Sequence, residues 1–142
     1  MTRTPEIILG DSLLTWLAQV NNLTAGVDIF GGMFPAKPSV DIVTNVQDTS
    51  GAARGYSRYV NTSHQIITRG KGHDATSTRA WAIYNSLFAD ALPLRNFNLS
   101  DDWFLLSIDA IQPPYDLGIS EGGLYLFTFN IQCRGTRRAI TT

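Results

Sequence analysis

Residues 103–133 read WFLLSIDAIQPPYDLGISEGGLYLFTFNIQC, and no other stretch constrains the architecture as tightly. In YLFTFNIQC the residues Tyr125, Phe127, Phe129, Ile131 and Cys133 alternate with Leu126, Thr128, Asn130 and Gln132. Side chains of a strand point to opposite faces in turn, so this is a strand with one apolar, aromatic face. In WFLLSIDAI the same alternation puts Phe104, Leu106, Ile108 and Ala110 on one face and Trp103, Leu105, Ser107 and Asp109 on the other. Between the two runs there is no room for the helix that a parallel crossover needs. The strands are therefore expected to lie antiparallel.

Working outward, DATSTRAWAIYNSLFADAL at 74–92 is the clearest helix. Asp74 is expected as its N-cap; Ala80, Ile83, Tyr84, Leu87 and Ala91 form an apolar stripe, and Pro93 stops it. A second, shorter helix is expected over about 12–21, with Leu13, Leu14, Leu17 and Val20 on one face and Asp11 or Ser12 accepting from its first turn. HQIITR and SVDIVTNVQ read as strands, the latter half-buried with Val40, Ile42, Thr44 and Val46 facing one way. GVDIF is a short strand followed by the turn-rich GGMFPAKPS. DTSGAARGYSR at 48–58 has no apolar period and is expected to be a long mobile loop or an extended hairpin tip. The order helix, strands, helix, strands gives an α+β fold: a mostly antiparallel sheet with two helices packed on one face, in a single domain over 1–142.

The 142 residues fit one core. Lys and Arg number 11 against 12 acidic residues, for a formal net charge of -1, which is not the footprint of a nucleic-acid or membrane-surface binder. Cys133 is single, so no disulfide or thiolate metal cage forms within the chain and a reducing compartment is the natural setting. The N-terminal apolar run is too short for a signal peptide or membrane span, and the chain is expected to be soluble.

Candidate chemistry is sparse. Gly70, Lys71 and Gly72 sit where a strand meets a helix, as a phosphate loop does, but G-x-x-x-x-G-K-[ST] needs Gly where Gln65 stands and a hydroxyl where Gly72 stands. A plain left-handed turn is the expectation there. A nucleotide-binding enzyme using Lys71, His73 and Asp74 is the weaker alternative. His64 and His73 share no local motif and read as surface histidines. Cys133 reads as a small hydrophobe. Asp101 and Asp102 fit a turn. No catalytic, cofactor-binding or metal-binding residue is assigned. The face carrying Trp103, Leu105 and Asp109 mixes a large aromatic with polar groups, as an interface does, with a surface Trp covered by a loop as the equal alternative. Arg134, Arg137 and Arg138 form a basic tail, whose bland reading is a solvated terminus.

The elements together resemble the phage tail terminator, or minor capsid, proteins of long-tailed phages and related particles, from about Asp11 to Arg134. The resemblance is carried by DSLLTWLAQV, by HQIITRGKGHDATSTRAWAIYNSL with Ala80, Trp81, Ile83, Tyr84 and Leu87, and by IDAIQPPYDLGISEGGLYLFTFNIQ with Pro114, Leu117, Gly118 and the turn at Glu121, Gly122 and Gly123. It implies a virion protein assembled in the host cytoplasm: a homo-oligomeric, usually hexameric, ring on the head-proximal end of the tail tube. Such a ring stops tube growth and docks the head connector, while DNA passes its channel without sequence readout. It implies no cofactor and no membrane. A tail-tube or head-closure protein of the same neck is the alternative within that assembly. Candidate interface residues are Arg54, Arg58, Lys71, Trp103, Leu105, Asp109, Arg137 and Arg138; the loop around Arg54 departs from the resemblance and carries nothing over.

Overall fold

The computed structural model describes residues 9–34, 40–53, 59–88, 95–100, 103–120 and 122–137. Along the chain these form α1 (Leu9–Val20), β1 (Ile29–Gly31), β2 (Val43–Ala53), β3 (Tyr59–Gly70), α2 (His73–Phe88), β4 (Arg95–Asn98), β5 (Trp103–Ala110), β6 (Tyr115–Ile119) and β7 (Tyr125–Arg137). The strands make one sheet in the order β1-β2-β3-β7-β5-β4, with β6 paired to β7 off that path. Every pairing is antiparallel except β1 with β2, so the α+β expectation holds, with one parallel edge added.

Register explains which residues meet the helices. Val46, Ile66 and Phe129 are successive cross-strand partners and share a face. Leu13 and Leu17 of α1 and Ile83 and Leu87 of α2, all fully buried, join them in one core with Ile131 and Cys133. Tyr84 meets Phe129 edge-on at 5.3 Å. Asn21 Nδ2 donates to Ser86 Oγ at 3.2 Å and ties the end of α1 to α2. Ala91 and Pro93 lie outside the described residues.

The helix ends differ in detail from expectation. α1 begins at Leu9, so Asp11 and Ser12 fall inside it, and Val20, expected on the apolar face, is exposed. Asn22 closes α1 with φ 56° while Leu23 N donates to Ala18 O, a left-handed C-terminal cap. α2 begins at His73, and the carbonyl of Gly72 accepts from Thr76 N at 3.0 Å and from Thr76 Oγ1. Asp74 therefore sits in the first turn, where its charge suits the helix dipole, and is not the cap.

The largest correction concerns β5. Leu105 pairs with Gly135 and Ser107 with Arg134, so one extra residue, Leu106, interrupts the ladder as a bulge. The interruption reverses the alternation. Trp103 and Leu105 land on the same face as Ile108, and all three are buried, at 5%, 0% and 0% exposure. They fill the core and are not outward-facing.

The segment 43–46 departs from half-burial, because Val43, Thr44, Asn45 and Val46 are all buried. One face lies under the helices. On the other, the Arg69 guanidinium stacks on Phe34 at 4.4 Å, beside its register partner Val43. The stretch 48–53 continues the β2–β3 ladder as far as Ala53 opposite Val60, the hairpin reading and not the mobile loop; 54–58 lies outside the described residues.

Phe129→Ala should cost about 3–5 kcal/mol, since it empties a site with no exposure. Thr128 is also buried, but on the second face, where its hydroxyl donates to Ile66 O at 3.2 Å. Thr128→Ala should cost about 1 kcal/mol. Urea denaturation of the isolated chain measures both, and equal losses would contradict this packing.

Candidate assembly surface

The Gly-Lys-Gly corner is shaped by contact. A Cβ on Gly70 would collide with Thr76 Oγ1 and lie 3.1 Å from Ile42 Cγ1. Neither Gly70 nor Gly72 has a positive φ, so the expected left-handed turn gives way to a close approach between strand and helix. Lys71 is 74% exposed and faces Asp41 at 3.5 Å, a surface pair of small energetic weight.

His64 is the opposite of a surface histidine. At 1% exposure it lies on the helix-covered face, register partner of Asp48 and Ile131. Its Nδ1 is 2.8 Å from Asp48 Oδ1 and its Nε2 is 2.7 Å from Thr62 Oγ1. A carboxylate only accepts, so Nδ1 carries the hydrogen. Carboxylate, imidazole and hydroxyl stand in the order of a hydrolytic triad; the ring is buried while Asp48 is half exposed, and the set braces two strands. The polar signal that would have exposed this was the pairing of Asp48 with His64 across a hairpin whose length the sequence left open.

Cys133 is buried, and burial pushes its thiol up to about 12, with Asp109 and Asp48 adding in the same direction. A thiol held so far above neutrality is a core side chain. Among the described residues no group of three or more His, Cys, Asp or Glu is placed to hold a metal, and no helix is long and apolar enough to cross a membrane. Asp101 and Asp102 lie outside the described residues, as do Arg54, Arg58 and Arg138; Arg137 ends β7. Asp109 and Arg134 are exposed.

Outward apolar surface collects where sequence reading saw only a hairpin. Ile111, Leu117 and Ile119 are 62%, 46% and 60% exposed, with Tyr115 beside them at 44%. All lie on or just before β6, which among the described residues pairs with β7 alone. Asp116 pairs with Phe127 and Gly118 with Leu126, so Leu117 is a bulge residue, and Gly118 holds a φ of +101° that side chains resist. Pro113 and Pro114 ahead of an alternating Tyr-Asp-Leu-Gly-Ile were the available signal. At the far side of the sheet, Val27 and Met33 flank β1 and are exposed as well. Between α1 and β1–β2 an open cleft of about 540 Å³ is lined by Asp11, Leu14, Gly31, Val46 and Asp48.

A two-layer domain with apolar strand edges has the character of an assembly module. The sequence matches the model of the bacteriophage tail terminator protein family over residues 16–137, and the chain belongs to that family. It is thus a tail structural protein. Among solved structures, a chain from the virion of a native gene transfer agent particle has the same fold, with a TM-score of 0.60 at 11% identity, covering 95% of this chain and 99% of that one. Another solved chain is 12% identical with a TM-score of 0.46, covering 99% of this chain and 100% of its own. No curated protein matches the sequence.

In the folded chain, Cys133 should resist thiol reagents at pH 8, because its thiolate fraction is negligible and the sulfur is covered. Denaturant should release one fast-reacting thiol per chain. Prompt labelling of the native protein would place Cys133 outside the core.

Proposed function

We propose that the chain forms a homo-hexameric ring at the head-proximal end of the tail tube, where it ends tube polymerisation and presents the surface on which the head connector docks. The observation that carries this reading is the family match over 16–137, which takes in α2 and the whole sheet. The physical features agree with it. A ring is closed by two different patches of one subunit meeting in turn, and this chain bears exposed apolar side chains at β6 and, across the sheet, beside β1. A formal net charge of -1 suits a channel that lets DNA pass without gripping it.

Of the interface residues expected from sequence, Trp103 and Leu105 drop out because they are core. Lys71 and Asp109, both exposed, are retained, together with Arg54, Arg58, Arg137 and Arg138, for charged contacts to a neighbour or to the tube. Charges at the rim of such contacts tune the rate of encounter and its salt dependence more than stability.

Electron microscopy of the protein mixed with growing tail tubes should show six-fold rings capping one tube end and halting elongation. Monomer in free solution does not oppose this, since the tube can template the ring. Uncapped tubes that keep growing in excess protein would refute it, and rings found only inside the head-side neck would favour a head-closure role. Replacing Arg54 and Arg58 together by Glu should weaken tube capping by roughly three- to tenfold without lowering the melting temperature.

A further inference from the structure

His73 opens α2 and sits where that helix meets β6 and β7. Its Nδ1 is 2.9 Å from Asp74 Oδ1, and its Nε2 is 3.5 Å from Asp116 Oδ2. Carboxylates accept hydrogen bonds and cannot donate, so a ring with an acid at each nitrogen satisfies both only as the imidazolium. A neutral ring would turn a lone pair toward one of them. The ring is also held in place, with Tyr125 and Phe127 of β7 meeting it edge-on at 5.4 and 5.3 Å.

Asp116 does two things at once. Its Oδ1 accepts from Gly118 N at 2.6 Å and so spans the β6 bulge, while Oδ2 faces His73. The bulge residue it spans is Leu117, which with Ile119 makes the outward apolar edge. Among the described residues β6 pairs with β7 alone.

We propose that His73 is a protonation-dependent clamp: as the imidazolium it ties Asp116, and with it the β6 bulge and the outward set of Leu117 and Ile119, to the start of α2, and deprotonation loosens that strand. The inference concerns a single chain and stands apart from the ring.

The groups facing the imidazole are Asp74 on its own helix, Asp116 on β6 and the Tyr125 and Phe127 rings on β7. Lys71, two residues earlier, is engaged with Asp41. The hydrogen bond to Asp74 raises the His73 pKa most, desolvation opposes it, and Asp116 adds to the rise. With a folded-state pKa above the ordinary 6.5, the clamp is complete below that value and is lost as pH rises through the folded pKa. The ring is solvent-reached, so the effect on the strand is modest.

Hydrogen exchange of the Leu117, Gly118 and Ile119 amides, corrected for intrinsic rates, tests this at pH 5.5 and pH 8.0, with Ile66 of β3 as the internal reference. Wild type should show roughly two- to fivefold greater β6 protection at the lower pH, the range of an exposed ion pair. His73→Gln should abolish that dependence while leaving Ile66 unchanged. Asp116→Asn, which keeps an oxygen for Gly118 N, should abolish it too. Protection of β6 that does not change with pH in wild type, or a dependence that survives in both variants, overturns the clamp.

Discussion

The structure depends on β7 having both of its edges paired. One edge runs against β3 for the whole of Tyr125 to Thr136; the other is divided between β6, opposite residues 125–128, and β5, opposite residues 131–137. β1 and β2 join the sheet only through β3, and β4 only through β5. Without β7 the sheet falls into a three-stranded β1-β2-β3 piece, the β4-β5 hairpin and an unpaired β6, and an isolated hairpin is marginal in water. The same strand supplies Phe127, Phe129, Ile131 and Cys133 to the helix-covered face. Chain order makes this a slow arrangement to reach, because the strand that completes the sheet follows the other described strands and its main partner, β3, lies far back along the chain.

Pairing on both edges also accounts for burial on both faces. Phe30, Asn45, Ile67, Thr128 and Tyr115 form one cross-strand row over five strands on the face away from the helices. Asn45 and Thr128 in that row are fully buried. Thr128 has the Ile66 carbonyl to bond, but among the described residues neither the oxygen nor the nitrogen of the Asn45 amide has a hydrogen-bond partner. An unpaired buried polar group costs on the order of 1–3 kcal/mol. That is a large fraction of a domain's stability, and the hydrophobic face opposite must offset it.

The parts of this fold legible in sequence were those where burial follows a single period. β7 alternates without interruption, and α2 repeats Ala80, Ile83 and Leu87 at helical spacing, so the two-layer packing could be read directly. β5 could not be read correctly, because the period breaks at Leu106 and a bulge leaves no mark in composition. Every residue before the break then appears on the wrong face, which is how Trp103 and Leu105 came to look like surface. Val43 to Val46 failed for a different reason: buried on both sides, Thr44 and Asn45 carry polarity that a half-buried strand would spend on solvent. β4 is too short and polar to register as a strand. Of the candidate surface, the charged residues were visible as charges, but the apolar edge at β6 was hidden between two prolines and a glycine turn.

The construction of that edge bears on what it can bind. A flat, regular edge strand is a template for indiscriminate strand addition, and proteins blunt such edges with bulges, charges and turns. β6 has all three: the bulge at Leu117, the carboxylate of Asp116 within it, and Gly118 at a φ of +101°, where the backbone departs from the pleat. Its backbone is therefore poorly prepared to accept another strand, while Leu117 and Ile119 still project. A partner meeting this edge would be gripped through side chains against a fixed shape. Side-chain docking is selective for one complementary surface, which the proposed ring would require and an open-ended sheet would defeat.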